Sequence, residues 1–106
     1  MKKIVHGQIA SEGTVKGKVT VLKTEKDLSK LKEKRILIMA DSLPNYLDAK
    51  SKALAFVLDK GSINCHLGKI ARELNIPCLV DTKIASKSFK DNDEVQIEDN
   101  YCEKIS

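Results

Sequence analysis

Aromatic residues are scarce in this sequence, which has no Trp, two Tyr and two Phe among 106 residues. Nucleic-acid surfaces usually combine stacking aromatic side chains with clustered arginines. Here the basic residues are mostly lysines spread along the chain. We therefore expect no nucleic-acid partner, and a hydrophobic core built from Ile, Leu, Val and Ala.

Long apolar segments are absent as well. Lys2 and Lys3 resemble the charged start of a signal peptide, but no apolar stretch follows them. No run approaches the roughly 20 apolar residues that are needed to cross a membrane. We expect no membrane contact and a cytoplasmic location.

The cysteines are few and irregularly spaced. Cys65, Cys78 and Cys102 are an odd number and form no Cys-x-x-Cys motif. This favours reduced thiols over a disulfide framework. A metal site at Cys65 and His66 would need Cys78 or Cys102 to converge on them, because two adjacent residues do not make a four-ligand site. We expect no metal.

The length of 106 residues fits one domain that spans residues 1–106. Apolar residues make up 42% and charged residues 32%, as in ordinary soluble globular proteins. The 19 basic and 15 acidic residues give a formal net charge of +4. This mild excess favours an acidic partner protein or a phosphorylated ligand.

The hydrophobic pattern predicts a mixed α/β fold. Alternating apolar residues indicate half-buried strands over residues 15–21 and 94–98. Continuous apolar runs predict buried strands at residues 36–40, 53–58 and 78–80. The predicted helices cover residues 26–34, 44–52 and 66–75. This order predicts a central, partly parallel sheet with helices and an additional antiparallel β layer.

One of the two histidines, His66, lies at the start of the predicted helix 66–75, for which Asn64 is the expected N-cap. Backbone N–H groups in a first helical turn lack helical partners and, with the helix dipole, favour an anion. On position alone, an exposed histidine without a chemical role is the simpler interpretation. The other histidine, His6, is isolated and is expected to have no role. The predicted apolar face of the helix comprises Leu67, Ile70, Ala71 and Leu74.

A stretch around His66 resembles the phosphohistidine signature of the mobile, swivelling domain of PEP-utilising enzymes. It runs from Asp59 to Pro77 and reads Asp-Lys-Gly-Ser-Ile-Asn-Cys-His-Leu-Gly-Lys-Ile-Ala-Arg-Glu-Leu-Asn-Ile-Pro. The family includes PEP synthase, pyruvate phosphate dikinase and enzyme I of the sugar phosphotransferase system. Further similar elements lie at residues 10–17, 36–44 and 90–95. The resemblance thus extends from about residue 4 to residue 100.

The resemblance implies a β/β/α phosphohistidine domain in which His66 accepts the phosphoryl group. Cys65 and Ser42 would support the histidine, although plain packing is the alternative for Cys65 and a simple helix cap for Ser42. Arg72 would lie beside the phosphate, with a solvated helix charge as the alternative. The phosphate-contact candidates are Gly61, Asn64 and Arg72.

Four residues depart from the family pattern. Ser62 replaces the second glycine of the signature, and Leu67 and Gly68 replace two small residues after the histidine. Asn92 stands where glycine is common, which a left-handed turn tolerates. These departures indicate a divergent member, with Leu67 as the change next to the carrier histidine.

The expected function is a phosphoryl-carrier module of a PEP-utilising phosphotransferase system. The chain contains no P-loop and has no room for a domain that binds ATP or PEP. We therefore expect no cofactor on this chain, and Mg with ATP or PEP on a partner phosphotransfer protein or domain. Turnover then needs the partner, so enzyme status is open. A divergent binding or regulatory module of the same fold, or a piece of a longer enzyme, are the alternatives.

Overall fold

Eight strands and two α-helices make up the regular structure of residues 3–41 and 50–105, the part of the chain that the computed structural model describes. Short 3-10 turns complete it. The strands are β1 (Ile4–His6), β2 (Gln8–Ser11), β3 (Val15–Leu22), β4 (Arg35–Met39), β5 (Ala53–Leu58), β6 (Cys78–Val80), β7 (Glu94–Glu98) and β8 (Tyr101–Lys104). The helices are α1 (His66–Leu74) and α2 (Ala85–Ser88).

The strands form one mixed sheet in the order β1-β8-β7-β3-β4-β5-β6-β2. Strands β3 to β6 run parallel, whereas β2 is antiparallel at one end, and β7, β8 and β1 are antiparallel at the other. Strand β3 belongs to both parts, because residues 15–18 pair with β7 and residues 19–22 pair with β4. The predicted parallel core with an added antiparallel layer is confirmed.

Strand β4 is covered on both faces, which explains its continuous apolar run. Ile36 and Ile38 pack with residues of the antiparallel layer, whereas Leu37 and Met39 pack with α1. All four side chains are fully buried. Each such burial contributes about 1.5–3 kcal/mol relative to an exposed side chain. The fold therefore has three layers: antiparallel strands, parallel strands and α1.

Gly7 lies where the chain passes from β1 in one layer to β2 in the other. A Cβ at this position would lie 2.7 Å from the carbonyl oxygen of Val80 and 2.7 Å from Cγ2 of Thr82. The amide of Gly7 donates a hydrogen bond to the carbonyl of Asn100 at 2.8 Å. Glycine is required here because neighbouring backbone approaches too closely for any side chain.

The predicted helix over residues 26–34 is wrong in type and length. The structure has a 3-10 helix at Glu25–Lys30, and the chain is extended again at Leu31. The carboxylate of Asp27 accepts hydrogen bonds from the amides of Lys23 and Thr24, at 2.7 and 3.0 Å, and thereby holds a tight turn. Tight 3-10 turns of this kind are common in short connecting segments.

Helix α2 and strand β8 were not predicted, and no bounds were predicted for β1 and β2. Helix α2 has four residues, which is too short for a helical period to show in the sequence. Strand β8 has only Cys102 fully buried, so its sequence lacks apolar alternation. The predicted helix over residues 44–52 lies mostly outside the described residues. Only residues 50–52 of this segment are described, and they form a 3-10 turn.

Candidate functional site

His66 is the first residue of α1, and its side chain is exposed. A loop of residues 59–65 leads into the helix from the carboxyl end of β5. Because β4 and β6 run parallel to β5, the loops that follow all three strands lie at the same edge of the sheet. Open α/β folds bind ligands at this carboxyl edge.

The cap of α1 differs from the prediction of Asn64. The N-cap is Cys65, whose backbone is extended (φ −68°, ψ 162°) and whose Sγ accepts a hydrogen bond from the amide of Gly68 at 3.4 Å. Asn64 lies one residue earlier, exposed in the preceding turn. His66 therefore occupies the first helical position, beside backbone N–H groups without helical partners. The first turn of α1 contains no acidic residue that would repel an anion.

Arg72 holds the loop that precedes His66. Its Nη1 donates hydrogen bonds to the carbonyl of Ala10 in β2, at 2.6 Å, and to the carbonyl of Ile63 in the loop, at 3.0 Å. The guanidinium thus joins α1, β2 and the loop, and is more than the solvated helix charge that was the alternative. Contact between Arg72 and a phosphate stays a prediction.

The first glycine of the signature is needed for its backbone conformation. Gly61 has φ +100°, a region that side-chain-bearing residues rarely adopt. Ser62 is not among the residues with positive φ in the described part of the chain. The replacement of the second glycine by Ser62 therefore needs no strained backbone. Similarly, Asn92 has φ 73°, the left-handed turn that its sequence position suggested.

The two departures after the histidine lie on the inner side of α1. Leu67 is buried in the core at 1% exposure, so its side chain does not crowd the exposed imidazole of His66. Gly68 is also buried, and a Cβ there would lie 2.9 Å from Cβ of Ala10 and 3.2 Å from the carbonyl of Ile63. The glycine lets α1 approach β2 closely. Of the predicted apolar face, Leu74 is an exception, being 41% exposed.

A buried carboxylate that the sequence did not single out as functional anchors the other end of the loop. Asp59 is 8% exposed, and its carboxylate accepts hydrogen bonds from the amide of Ser86, at 2.8 Å, and from the hydroxyl of Ser86. The amide of Lys83 donates to the carbonyl of Asp59 at 2.9 Å. The loop is thereby tied to α2 as well as to β2. In the sequence, the position of Asp59 as the first residue of the family signature was the signal that could have identified it.

A comparison with known protein families identifies the family of this chain. The model of the family "PEP-utilising enzyme, mobile domain" matches residues 31–100, which include β4, the loop, α1 and His66. The chain belongs to this family.

Curated relatives of this mobile domain are phosphoenolpyruvate synthases. The chain is 38% identical over 97 residues to a probable phosphoenolpyruvate synthase of Archaeoglobus fulgidus, covering 92% of this chain and 13% of that protein. It is 38% identical over 87 residues to the phosphoenolpyruvate synthase of Pyrococcus furiosus, covering 82% of this chain and 11% of that protein. The chain thus spans about an eighth of the length of the curated relatives it matches.

Solved structures share the fold. An enzyme I structure superposes with a TM-score of 0.56 and 31% identity, over 67% of this chain and 29% of that chain. The aconitase X of Thermococcus kodakaraensis superposes with a TM-score of 0.73 at 15% identity, over 98% of this chain and 99% of that chain. At that identity, the second similarity concerns the fold alone.

Part of the predicted site of the mobile domain lies outside the described residues. Ser42 and Pro44 fall in residues 42–49, and the supporting role of Ser42 stays a prediction. The supporting role of Cys65 and the phosphate contacts of Gly61 and Asn64 also stay predictions. The structure places Gly61 beside Cys65, the residue before His66, since a Cβ on Gly61 would lie 3.7 Å from the Cys65 sulfur.

The three cysteines are divided between the two core clusters. Cys102 lies in the core cluster between the two β layers, whereas Cys65 and Cys78 lie in the cluster on the α1 face. Burial raises the pKa of the Cys78 thiol to about 12, and burial raises that of Cys102 to about 12. Over residues 3–41 and 50–105, no group of three His, Cys, Asp or Glu side chains could hold a metal ion. Within the same residues, no helix is long and apolar enough to cross a membrane.

Proposed function

We propose that this mobile domain is a phosphoryl carrier in which the imidazole of His66 accepts a phosphoryl group from one protein and passes it to another. The observation that carries the proposal is the exposed His66 at the first position of α1, inside the region that the family model matches. The flanking residues Cys65 and Arg72 fit the motif of the family at their positions.

The surroundings of His66 suit a transient anion. The N–H groups of the first turn other than that of Gly68, which donates to Cys65, and the helix dipole stabilise negative charge at this end of α1. The loop is fixed at both ends, by Asp59 at α2 and by Arg72 at β2. A fixed loop holds the backbone of His66 in a constant position, which reduces the entropy lost on reaching an in-line geometry.

The transfer step uses the neutral imidazole as nucleophile. A ring nitrogen attacks the phosphorus of the donor, so that a P–N bond forms while the P–O bond to the leaving group breaks and the leaving oxygen keeps the electron pair. In the second transfer an oxygen of the acceptor attacks the phosphorus, so that a new P–O bond forms while the P–N bond breaks. The imidazole nitrogen keeps the electron pair and the ring is released unchanged. An oxygen at the other ring nitrogen would hold the ring, and Ser42 is the residue we propose for this role.

The donor and acceptor sites are proposed to lie on partner proteins or domains. The chain spans only 11–14% of the length of its curated phosphoenolpyruvate synthase relatives. We propose a partner that uses ATP or PEP and holds the Mg, in the cytoplasm where these donors occur. The departures Ser62, Leu67 and Gly68, which motivated the alternative of a non-catalytic binding module, fit the fold without obstructing His66.

Intact mass measurement tests the carrier role. The purified chain is incubated with extract of the source cells and either ATP or PEP, beside the variants His66→Ala and His6→Ala. We expect one acid-labile, alkali-stable phosphate per chain in the wild type and in His6→Ala, and none in His66→Ala. Absence of phosphate with every donor, or its persistence in His66→Ala, would contradict the proposal.

A further inference from the structure

A groove of about 770 Å³ lies beside α2, and none of the residues that line it belongs to the His66 loop. Its base is formed by the buried side chains Val21 and Phe89, and its rim by the exposed lysines Lys23, Lys30, Lys87 and Lys90. We call it the basic groove. Val21 and Phe89 belong to the core cluster on the sheet face opposite to α1.

The groove carries an excess of positive charge. Four lysines and two aspartates line it. Lys30 is paired with Asp27 at 2.9 Å and lies 3.9 Å from Asp91. By contrast, Lys23, Lys87 and Lys90 form no ion pair with any side chain in the described part of the chain.

Most backbone donors of the groove already donate hydrogen bonds within the protein. The amide of Val21 donates to the carboxylate of Asp91 at 2.7 Å, and the amide of Ser86 donates to Asp59 at 2.8 Å. A compact anion such as phosphate would therefore meet mainly flexible lysine side chains, whose ordering costs conformational entropy. An extended ligand with several carboxylates and apolar side chains would use both the ammonium groups and the apolar methylene stems of the rim lysines.

The groove shares an edge of the sheet with the carrier histidine. Its walls follow the carboxyl ends of β3 and β6, and the loop before His66 follows the carboxyl end of β5, which runs parallel to them. The hydrogen bonds from Ser86 to Asp59 join the groove wall to that loop. The groove and the loop before His66 therefore lie at the same edge of the sheet, while α1 packs on the face opposite to Val21 and Phe89.

We propose that the basic groove is a docking site for an acidic, amphipathic segment of the protein that exchanges the phosphoryl group with His66. This inference rests on the proposed function. The unpaired lysines attract the acidic segment and raise the rate of encounter, as complementary charges do in other complexes. The apolar methylene stems of the rim lysines then contact an apolar side chain of the segment.

The first test addresses the groove without any phosphoryl transfer. The full-length, ¹⁵N-labelled chain is titrated with a synthetic peptide of alternating Glu and Leu, with the matching Gln–Leu peptide, and with inorganic phosphate and ATP. We expect saturable shifts of the Val21, Lys87 and Phe89 amides with the Glu peptide alone, weakened by salt. No saturable shift at these amides, or the same shifts with phosphate or ATP, would overturn the proposal.

The second test compares Lys23→Glu/Lys87→Glu with a control of equal charge change, Lys16→Glu/Lys34→Glu, whose exposed lysines lie outside the groove. At low salt and limiting donor protein, we expect His66 phosphorylation to slow about tenfold or more in the groove variant and less than about twofold in the control. Phosphoramidate, a small donor that needs no docking, should phosphorylate both variants at the wild-type rate.

The outcomes separate the two proposals. Equal rates for groove variant and control with the donor protein would overturn the docking site and leave the carrier role intact. If the groove variant also reacts slowly with phosphoramidate, the substitutions have altered the reactivity of His66 itself. Loss of docking would then not explain the slow reaction with the donor protein, and the docking proposal would be overturned. If no donor protein phosphorylates His66, the carrier role fails, and binding of the Glu peptide alone then decides whether the groove binds acidic segments.

Discussion

Replacing Gly68 by Ala adds one methyl group between α1 and β2, where the structure leaves no room for it. The new Cβ would lie 2.9 Å from Cβ of Ala10 and 3.2 Å from the carbonyl of Ile63. Both neighbours belong to elements fixed by other contacts, because Arg72 binds the carbonyls of the same two residues. Relief of the clash therefore requires α1 to move away from β2.

The expected cost follows from two opposing terms. Overpacking of a close contact costs about 1–3 kcal/mol. Alanine in place of glycine within a helix raises the free energy of unfolding by up to about 1 kcal/mol. We therefore expect Gly68→Ala to lower the free energy of unfolding by about 1–2 kcal/mol, although the helix propensity alone predicts stabilisation.

Urea unfolding of a double-mutant cycle with Ala10→Gly tests this reasoning. Ala10→Gly removes the nearest atom and should itself cost about 1–2 kcal/mol, from the lost buried methyl and the flexibility of glycine in a strand. In that background, Gly68→Ala should cost about 1 kcal/mol less than in the wild type. A Gly68→Ala protein more stable than the wild type, or strictly additive effects, would refute the steric account.

Three further predictions concern Arg72, the cysteines and Asp27. Arg72→Ala should slow phosphorylation of His66 and lower the free energy of unfolding by about 1–3 kcal/mol, because two backbone carbonyls lose a charged donor. Unchanged phosphorylation kinetics would show that the hydrogen bonds of Arg72 are not needed for the reaction of His66. At about pH 8, a thiol reagent should modify the half-buried Cys65 first, since burial raises the pKa values of Cys78 and Cys102 to about 12; mass mapping that finds Cys78 modified first would contradict this. The hydrogen bond from Lys30 and those from the amides of Lys23 and Thr24 lower the pKa of Asp27 from 3.8 to about 2, so its stabilisation is present above pH 3.8 and is lost as the pH falls towards 2. Because the site is near the surface, we expect a loss of only about 1 kcal/mol, which Asp27→Asn should abolish in acid unfolding curves.

Much of the fold was predictable because the layers impose simple periods on the sequence. A strand buried on both faces must be apolar throughout, so β5 and β6 were predicted at their observed bounds and β4 within one residue. The helix start at His66 was also predicted, since a polar turn followed by one apolar face is a local signal. Elements with weak local signals, such as α2 and β8, depend on contacts with distant segments and were missed.

Local patterns of residue type were sufficient to predict the buried strands, the helix that begins at His66 and the family signature around it. The way in which the loop before His66 is held could be seen only in the folded protein. Arg72 reaches Ala10 and Asp59 reaches Ser86, and in each pair the residues are far apart in the chain. The close packing at Gly68 could likewise be seen only in the folded protein. Such contacts arise when whole layers pack together, and local hydrophobic periodicity in the sequence does not predict them.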